Sequence, residues 1–431
     1  MNFIFLGIVL IAFFAAAVGE FTHVPAEGVT APMEALSAGM LATAGDAVEL
    51  ALGLVGLMTL FLGLMKVAEA GGLLVIIARV IRPLMTRLFP EVPPEHPAMG
   101  AMILNISATT LGLGNAATPF GIRAMQELDK LNPRPGTATN AMALFLAINT
   151  SGITLIPTTV IALRAAAGSV DPAAILPTTL FATVCGTIAA IVAALYFQRV
   201  FPAGAADAAS APLSRPWVEE GASTDPLPPD AGGYPAWVSL LVLVGILALI
   251  PAMIFWGGRI SPWIIPCLMV SFLVFGAARG VRVYEVFVEG AKDGFQVALR
   301  IIPYLVAILV AVGMFRASGA MEVMVTALGG LTSALGLPAE ALPMALLRPL
   351  SGSGAYGIMA SIINDPAIGP DSYIGLLVST LQGSSETTFY VLAVYFGAVQ
   401  IQRMRHTLLA ALIADLVAVI ASVAICSYLF A

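Results

Sequence analysis

The sequence predicts an all-α, polytopic membrane protein with two inverted-topology repeats and discontinuous or re-entrant helices in each half. Three observations predict this fold class. Hydrophobic residues make up 59% of the chain and charged residues 10%, apolar runs of bilayer length recur, and the two halves share spaced motifs. A soluble chain of 431 residues would need more charge to cover its surface. The lipid bilayer is therefore the first expected partner.

The composition argues against several other classes of protein. No block of Lys and Arg indicates nucleic-acid binding, and no glycine-rich motif indicates a nucleotide site. The three cysteines and three histidines are too scattered for a metal centre, so we expect no metal and no cofactor. We also expect no enzyme, because Ser351 has no histidine in the membrane segments to activate it and no hydrolase motif is present.

The ends of the first half set the domain boundaries. Residues 2–18 are apolar like a signal peptide, but no Lys or Arg precedes them, which favours a first membrane helix. Residues 201–235 are rich in Ala, Pro, Gly, Asp and Ser and predict a flexible linker. The linker separates a first membrane half, 1–200, from a second, 236–431, and residues 236–280 are expected to form a helical hairpin.

The two halves carry similar residues at the same mutual spacings. The matches include an aspartate-to-glycine pattern, a proline-containing turn and a small polar triplet before an apolar run. In the first half the matched positions are Asp46, Ala51, Leu52, Ala70, Gly72, 93–95 and 149–151. In the second half they are Asp293, Ala298, Leu299, Ala317, Gly319, 338–340 and 383–385. We therefore expect an internal repeat.

The distribution of positive charge predicts that the repeats are inverted. Residues 19–46 contain no Lys or Arg, so they are expected to be periplasmic and the helix from Asp46 should run inward. The equivalent helix of the second half should run outward, because it follows cytoplasmic charges at Arg279, Arg282 and Lys292. Equivalent helices of opposite direction are typical of many secondary transporters.

Four stretches interrupt the apolar segments with Gly, Pro and small polar residues, two in each half. Backbone groups freed inside a membrane must be buried in protein or line a wet cavity, and paired interruptions are typical of a midplane site. Close helix packing is the alternative for each single residue. The stretches are 105–119, 149–159, 348–354 and 382–388. The expected substrate ligands are Asn105, Ser107, Asn115, Thr118, Asn149, Thr150, Ser151, Ser351, Ser353, Gln382, Ser384 and Ser385.

Three charged residues belong to this expected site. Glu386 lies inside a membrane segment, where a carboxylate is costly, so we expect it to couple to H⁺ or Na⁺ or to bind the solute. The alternative is a structural carboxylate satisfied by Arg348 or by backbone amides. Arg348 and Asp415 are the expected charge partners. The polar triplets at 149–151 and 383–385 are expected to begin half-helices whose backbone amides hold an anionic or polar group.

Motifs in each half resemble a known bacterial family. Stretches 111–121, 149–151 and 154–159 resemble spore maturation protein A, and stretches 349–353, 369–372 and 383–390 resemble spore maturation protein B. The resemblance covers nearly the whole chain except the linker and implies two fused proteins that act as a one-to-one complex. It also implies that each half is a gate domain of the nucleoside recognition group, similar to the membrane gates of ferrous iron and concentrative nucleoside transporters.

Together, the residues and the resemblance predict an integral membrane transporter or permease for a small polar solute, nucleoside-like or other. Both gate domains would form one central site. The expected location is the bacterial inner membrane, multi-pass, with the linker on the cytoplasmic side. The alternative is a non-transporting membrane scaffold or regulatory protein, and a homo-oligomer is compatible with either.

Overall fold

The computed structural model describes residues 2–22, 30–112, 114–201, 234–323, 326–327 and 336–430. Apart from its two ends, the predicted linker lies outside these residues. The described residues are almost entirely helical, which confirms the all-α prediction. Within them, four helices contain segments long and apolar enough to cross a membrane, namely Phe5–Thr22, Pro32–Ala70, Leu176–Val200 and Thr407–Phe430.

The described helices are distributed over both halves. Those of the first half are α1 (Asn2–Thr22), α2 (Pro32–Ala70), α3 (Leu73–Leu88), α4 (Pro97–Thr110), α5 (Gly114–Lys130), α6 (Asn140–Thr150), α7 (Thr158–Ala166) and α8 (Leu176–Val200). Those of the second half are α9 (Ala236–Ala278), α10 (Val283–Ala317), α11 (Leu342–Leu347) after a 3₁₀ turn at Ala339–Ala341, α12 (Gly352–Ile363), α13 (Tyr373–Gly383), α14 (Thr388–Ala398) and α15 (Thr407–Phe430).

Local structure at matched positions supports the internal repeat. Gly72 follows α2 with a φ of 85°, and Gly319 follows α10 with a φ of 75°. Both glycines take the left-handed conformation that L-residues with a side chain adopt at a cost, so each ends its helix. Later in each half, hydroxyl side chains cap the matched helices: Thr139 accepts from the third residue of α6, and Ser372 accepts from that of α13.

Helices α2 and α10 pack against each other in antiparallel directions. Near the start of α2, Gly39 faces Ala317 at the end of α10, and further along α2 Gly63 faces Phe287 near the start of α10. The approach is close at Gly294 of α10, where an added Cβ would lie 2.7 Å from the carbonyl oxygen of Met58. Glycine thus lets α2 and α10 meet backbone to backbone.

Helices α8 and α15 also pack in antiparallel directions. An added Cβ on Gly186 of α8 would lie 3.3 Å from Cβ of Ala418 in α15. At the far end of α8, the carbonyl oxygen of Phe201 accepts a hydrogen bond from Arg405, which precedes α15. Equivalent helices of the two halves therefore pair with each other.

The two larger hydrophobic cores contain residues from both halves. One core joins α3–α6 of the first half to α14 and α15, and in it the ring of Phe145 stacks on Tyr395 with 6.2 Å between centroids. The other core joins α2 and α7 to α12 and α13, with Ile161 packed among residues such as Met359 and Leu377. Because each core needs both halves, the two membrane halves form one packed unit.

The predicted hairpin at residues 236–280 is wrong, because α9 is one helix of 43 residues. Between residues 247 and 262 the clearly polar side chains are those of Arg259 and Ser261. A turn in this apolar stretch would free backbone groups without enough polar partners. The backbone therefore stays helical through this stretch.

Gly294→Ala tests the close approach of α2 and α10. The new methyl group would overlap backbone atoms of Met58 and Thr59, so we expect a loss of about 1–3 kcal/mol in stability, as for other overpacked contacts. Thermal unfolding of the purified protein in detergent measures the loss. Gly56→Ala on α2 is the matched control, because its Cβ would meet nothing within 4 Å. Equal unfolding temperatures for the two variants would contradict the described packing.

Candidate functional site

The four predicted interruptions are breaks between consecutive helices. In the first half, break 1 follows α4 at Leu111 and Gly112, and break 2 separates α6 from α7 at residues 151–157. In the second half, break 3 lies at 348–351 between α11 and α12, and break 4 lies at 384–387 between α13 and α14. Discontinuous helices are thus present in both halves and in matching order.

Within each half, the backbone of one break bonds to the backbone beside the other. Leu155 N in break 2 donates to Thr110 O at the end of α4 at 2.9 Å. In the second half, Phe389 N at the start of α14 donates to Pro349 O in break 3 at 3.1 Å. The two bonds occupy equivalent places, so each half pairs its two breaks in the same way.

Two further contacts bring the breaks close to one another. Between the halves, Glu386 N in break 4 donates to Thr150 O at the end of α6 at 2.8 Å. Within the first half, Gly112 has a φ of 80°, and an added Cβ would lie 2.5 Å from Ile156 O in break 2. Only glycine fits this close approach without strain. Since unpaired backbone groups are costly in hydrocarbon, these contacts hold the breaks side by side.

All four breaks border one cavity of about 900 Å³, whose wall carries both polar and apolar groups. This volume is at the upper end of the roughly 300–1,000 Å³ usual for small-molecule sites. The cavity lies against α2 and α10, the antiparallel pair. Lining residues from or beside the breaks include Thr109, Gly112, Thr118, Thr154, Pro157, Thr158, Arg348, Gly352, Ser353, Gln382, Ser385, Glu386 and Thr387.

Arg348 is the buried cation of the cavity wall. Its side chain is 6% exposed, and it donates from Nε to Gln382 O and from Nη1 to Thr387 Oγ1, both at 3.1 Å. The charges of Glu386 and Asp415 lie near enough to stabilise the guanidinium. Within the described part of the chain, however, neither carboxylate forms a salt bridge with it. Arg348 thus holds breaks 3 and 4 together while its charge borders the cavity.

Glu386 presents its carboxylate to the cavity. Its backbone N–H donates to Thr150 O, and this hydrogen bond holds the residue at the junction of the two halves. Among the residues that the structure describes, the carboxylate oxygens have no hydrogen-bond or ion-pair partner. The expected structural role, in which Arg348 or backbone amides satisfy the carboxylate, therefore has no contact to support it here.

The other predicted ligands separate into two groups. Four line the cavity, and they are Thr118, Ser353, Gln382 and Ser385. The rest with described side chains bond inside the protein: Ser107, Asn149, Thr150, Ser151 and Ser384 donate to carbonyls of their own helices, whereas Ser351 caps α12. Hydroxyl and amide groups near helix ends commonly bond back in this way. The side chain of Asn115 lies outside the described residues.

Asn105 and Asp415 lie behind the cavity rather than on its wall. Asn105 is fully buried and donates from Nδ2 to Ala117 O at 2.8 Å and to Tyr395 Oη at 3.1 Å. This ties α4 across break 1 to α5 and to α14 of the other half. Asp415 accepts a hydrogen bond from Thr388, the first residue of α14. Both residues thus form hydrogen bonds that hold in place helices that begin or end at the breaks.

The predicted positions of the half-helix starts are wrong. Asn149 lies in the last turn of α6 and Gly383 is the last residue of α13, so both polar triplets end helices. The helices resume later, at Thr158 after Pro157 and at Thr388. Proline lacks an N–H and so suits the residue just before a helix, which moves the N-terminus beyond the triplet. Neither α7 nor α14 has a side-chain cap at its start.

The sequence reasoning missed the polar residues that the long helices contribute to the cavity. Lys66 and Glu69 of α2 line it as a 3.6 Å ion pair, and Asp293 and Gln296 of α10 line it from the antiparallel neighbour. The sequence signal was present, because these polar residues lie near glycines on long apolar helices.

Arg164 forms buried contacts between the halves that the sequence did not reveal. We call the contacts of Arg164 with Pro370 and Asp371 the first clasp. Arg164 lies near the end of α7, is 0% exposed and pairs with Asp371 of the second half at 2.8 Å. It also donates to the carbonyl of Pro370 and to that of Asp171 at 3.1 Å. Asp371 in turn accepts from Val170 N at 2.8 Å. The first half thus grips the loop that precedes α13.

A second clasp reverses the roles of the halves. Arg405, which follows α14, donates to Ala138 O at 3.1 Å and to Asn140 Oδ1 at 2.9 Å. It therefore binds the segment around the start of α6. Backbone bonds from Gln402 and Arg403 to Gly136 O strengthen this clasp. Each half therefore holds the loop before the other half's broken helix pair.

Comparison with known proteins agrees with the repeat and with the two halves. A family model described as nucleoside recognition, or Gate, matches the chain twice, at residues 51–167 and 298–402. Over 166 residues the chain is 48% identical to spore maturation protein B of Bacillus subtilis (strain 168), covering 38% of this chain and 92% of that protein. Over 154 residues it is 49% identical to spore maturation protein A of the same organism, covering 36% and 79%. No solved structure matches.

Asp371→Asn tests the first clasp. The substitution leaves the Arg164 charge buried without its carboxylate, so we expect a loss of about 1–3 kcal/mol, as for a charged hydrogen bond. The loss should stay below the roughly 3–5 kcal/mol of a fully buried pair, because the Asp371 side chain is 39% exposed. Thermal unfolding in detergent provides the measurement. Glu95→Gln, which removes the exposed ion pair with Arg82, is the control and should cause no measurable change.

Proposed function

The chain belongs to the nucleoside recognition (Gate) family, and on this premise we propose that it is a membrane transporter for a small polar solute. The observation that carries the proposal is the convergence of all four helix breaks on one cavity. Breaks that served only close packing would have no reason to share a cavity wide enough for a ligand. Both halves supply its wall, so the solute would be held at their junction.

The chemistry of the cavity wall suits a solute with both acceptor and donor groups. Arg348 borders the cavity, and its guanidinium favours an anionic or acceptor group. Glu386 and Asp293 favour a cationic or donor group. A nucleoside or another compact polar molecule meets these requirements.

Glu386 is the proposed coupling residue. Its carboxylate faces the cavity, where uptake of H⁺ or Na⁺ would offset the cost of a negative charge inside the membrane. The first-half breaks carry no acidic residue, so coupling would belong to the second half. With no nucleotide motif in the sequence, an ion gradient is the proposed energy source.

Inverted topology is part of this proposal. The antiparallel packing of the equivalent pairs α2–α10 and α8–α15 supports it. Arg134, Arg403 and Arg405 cluster at the second clasp, which favours the cytoplasmic side of a bacterial inner membrane for that end of the molecule. Since Phe201 bonds to Arg405, the linker would leave the membrane on this cytoplasmic side.

Solute binding should raise the unfolding temperature of the purified protein. We expect one class from a panel of nucleosides, amino acids and divalent metal ions to stabilise it, by about 2.7 kcal/mol when the compound is present at 100 times its Kd. Glu386→Gln should weaken or abolish the shift. Ser422→Ala is the control, because Ser422 is buried in α15 and bonds to its own helix.

The same measurement decides against transport if it gives the opposite result. A panel without any thermal shift, together with equal stability of the wild type and Glu386→Gln, would favour the membrane scaffold or regulatory protein instead.

Site-directed labelling tests the inverted topology. In a variant without its three cysteines, we expect Leu131→Cys and Ala367→Cys to react with a membrane-impermeant maleimide from opposite sides. These residues lie in equivalent loops, before α6 and before α13. Met404→Cys, in the second clasp, should react from the same side as Leu131→Cys. Reaction of Leu131→Cys and Ala367→Cys from one side would disprove the inversion.

A further inference from the structure

Asp415 is a buried carboxylate with an incomplete set of partners. It lies in α15, is 6% exposed, and accepts at Oδ2 a hydrogen bond of 2.6 Å from Thr388 Oγ1. The other oxygen, Oδ1, is buried and has no hydrogen-bond partner among the described residues. The side chain is therefore half satisfied in the interior of a helix that is apolar enough to span the membrane.

Among the described residues, no cation contacts the Asp415 carboxylate directly. Arg348 is the cation that acts on Asp415, but its Nε and Nη1 donate to Gln382 O and Thr387 Oγ1 instead. The helices packed against α15 are α6, α8, α13 and α14. Helix α6 carries no titratable side chain, and the others carry Cys185, Tyr196, Arg199, Tyr373, Tyr390 and Tyr395.

An ionised carboxylate with a single hydrogen bond would be costly in this place. Burying a charge without a paired partner costs several kcal/mol or more, whereas a neutral carboxylic acid loses only modest hydrogen bonding. The unpartnered Oδ1 is the atom that a proton would occupy without disturbing the bond from Thr388. The unpartnered Oδ1 and the cost of burying a charge thus both favour the neutral carboxylic acid.

We propose that Asp415 is a proton-binding site behind the cavity. The ligand is H⁺, which adds to Oδ1 and leaves Oδ2 to accept from Thr388. This site is separate from Glu386, which faces the cavity itself. Proton binding at Asp415 stands independently of the proposed solute transport.

The position of the site links the proton to the cavity wall. Thr388 is the first residue of α14 and follows Thr387, which binds Arg348. Loss of the proton would create a charge whose nearest cation is Arg348, and attraction between them would draw the guanidinium away from Thr387. The proton on Asp415 therefore preserves the hydrogen bond from Arg348 in break 3 to Thr387 in break 4. This consequence, unlike the proton site, rests on the proposed function of the cavity.

Infrared spectroscopy of the full-length protein in detergent tests the proposal. A protonated carboxylic acid gives a carbonyl-stretch band separate from those of carboxylates and amides. At mildly acidic pH we expect the wild type to show this band, Asp415→Asn to lose it, and Glu386→Gln to keep it. Thr388→Val should shift the band, because the hydrogen bond to Oδ2 is removed, and this variant serves if Asp415→Asn does not fold.

Two outcomes would overturn the proposal. One is a spectrum at mildly acidic pH in which Asp415→Asn and the wild type have the same carbonyl-stretch region and Thr388→Val causes no shift. The other is sodium-dependent stabilisation of the wild type that Asp415→Asn abolishes without any loss of a carboxylic acid band, because the site would then hold Na⁺. Neither outcome depends on solute binding, so the thermal-shift panel can fail or succeed separately.

Discussion

The structure depends on one constraint, namely that backbone groups freed inside a membrane need partners within the protein. The chain meets it by pairing its helix breaks with one another. Leu155 bonds to Thr110 and Phe389 to Pro349 within the halves, and the Glu386 amide bonds to Thr150 between them. Because each break is satisfied by another, none can be moved alone. The cavity is the space that remains where the paired breaks meet.

The same constraint explains why the halves are so closely combined. The two larger hydrophobic cores contain side chains from each half, so each half completes the packing of the other. The two clasps repeat this exchange at the loops, where Arg164 holds the segment before α13 and Arg405 holds the segment before α6. Joining the halves in one chain fixes their ratio at one to one, which suits an assembly in which each completes the other.

The two repeats have similar helices and breaks, whereas the charged residues at the breaks are distributed unequally between them. The first-half stretches 105–119 and 149–159 contain no Asp, Glu, Lys or Arg. In the second half, Arg348 and Glu386 line the cavity and Asp415 lies behind it. Duplicated helices with similar breaks therefore provide the shape of the site, and one copy provides most of its electrostatics. The long helices add Lys66 and Glu69 from one side and Asp293 from the other.

The sequence alone determined the helical membrane fold, the internal repeat and the four breaks, because apolar length and clusters of Gly, Pro and small polar residues act locally on the backbone. Glu386 and Arg348 were also identifiable, since charges inside apolar segments are rare. Which polar residues face the cavity was decided by tertiary structure. Ser107 and Asn149 bond to their own helices, whereas Asp293 reaches the site because α10 packs antiparallel to α2. The Arg164 clasp also depended on the tertiary structure, because its partner lies 207 residues away and no local pattern specifies such a contact.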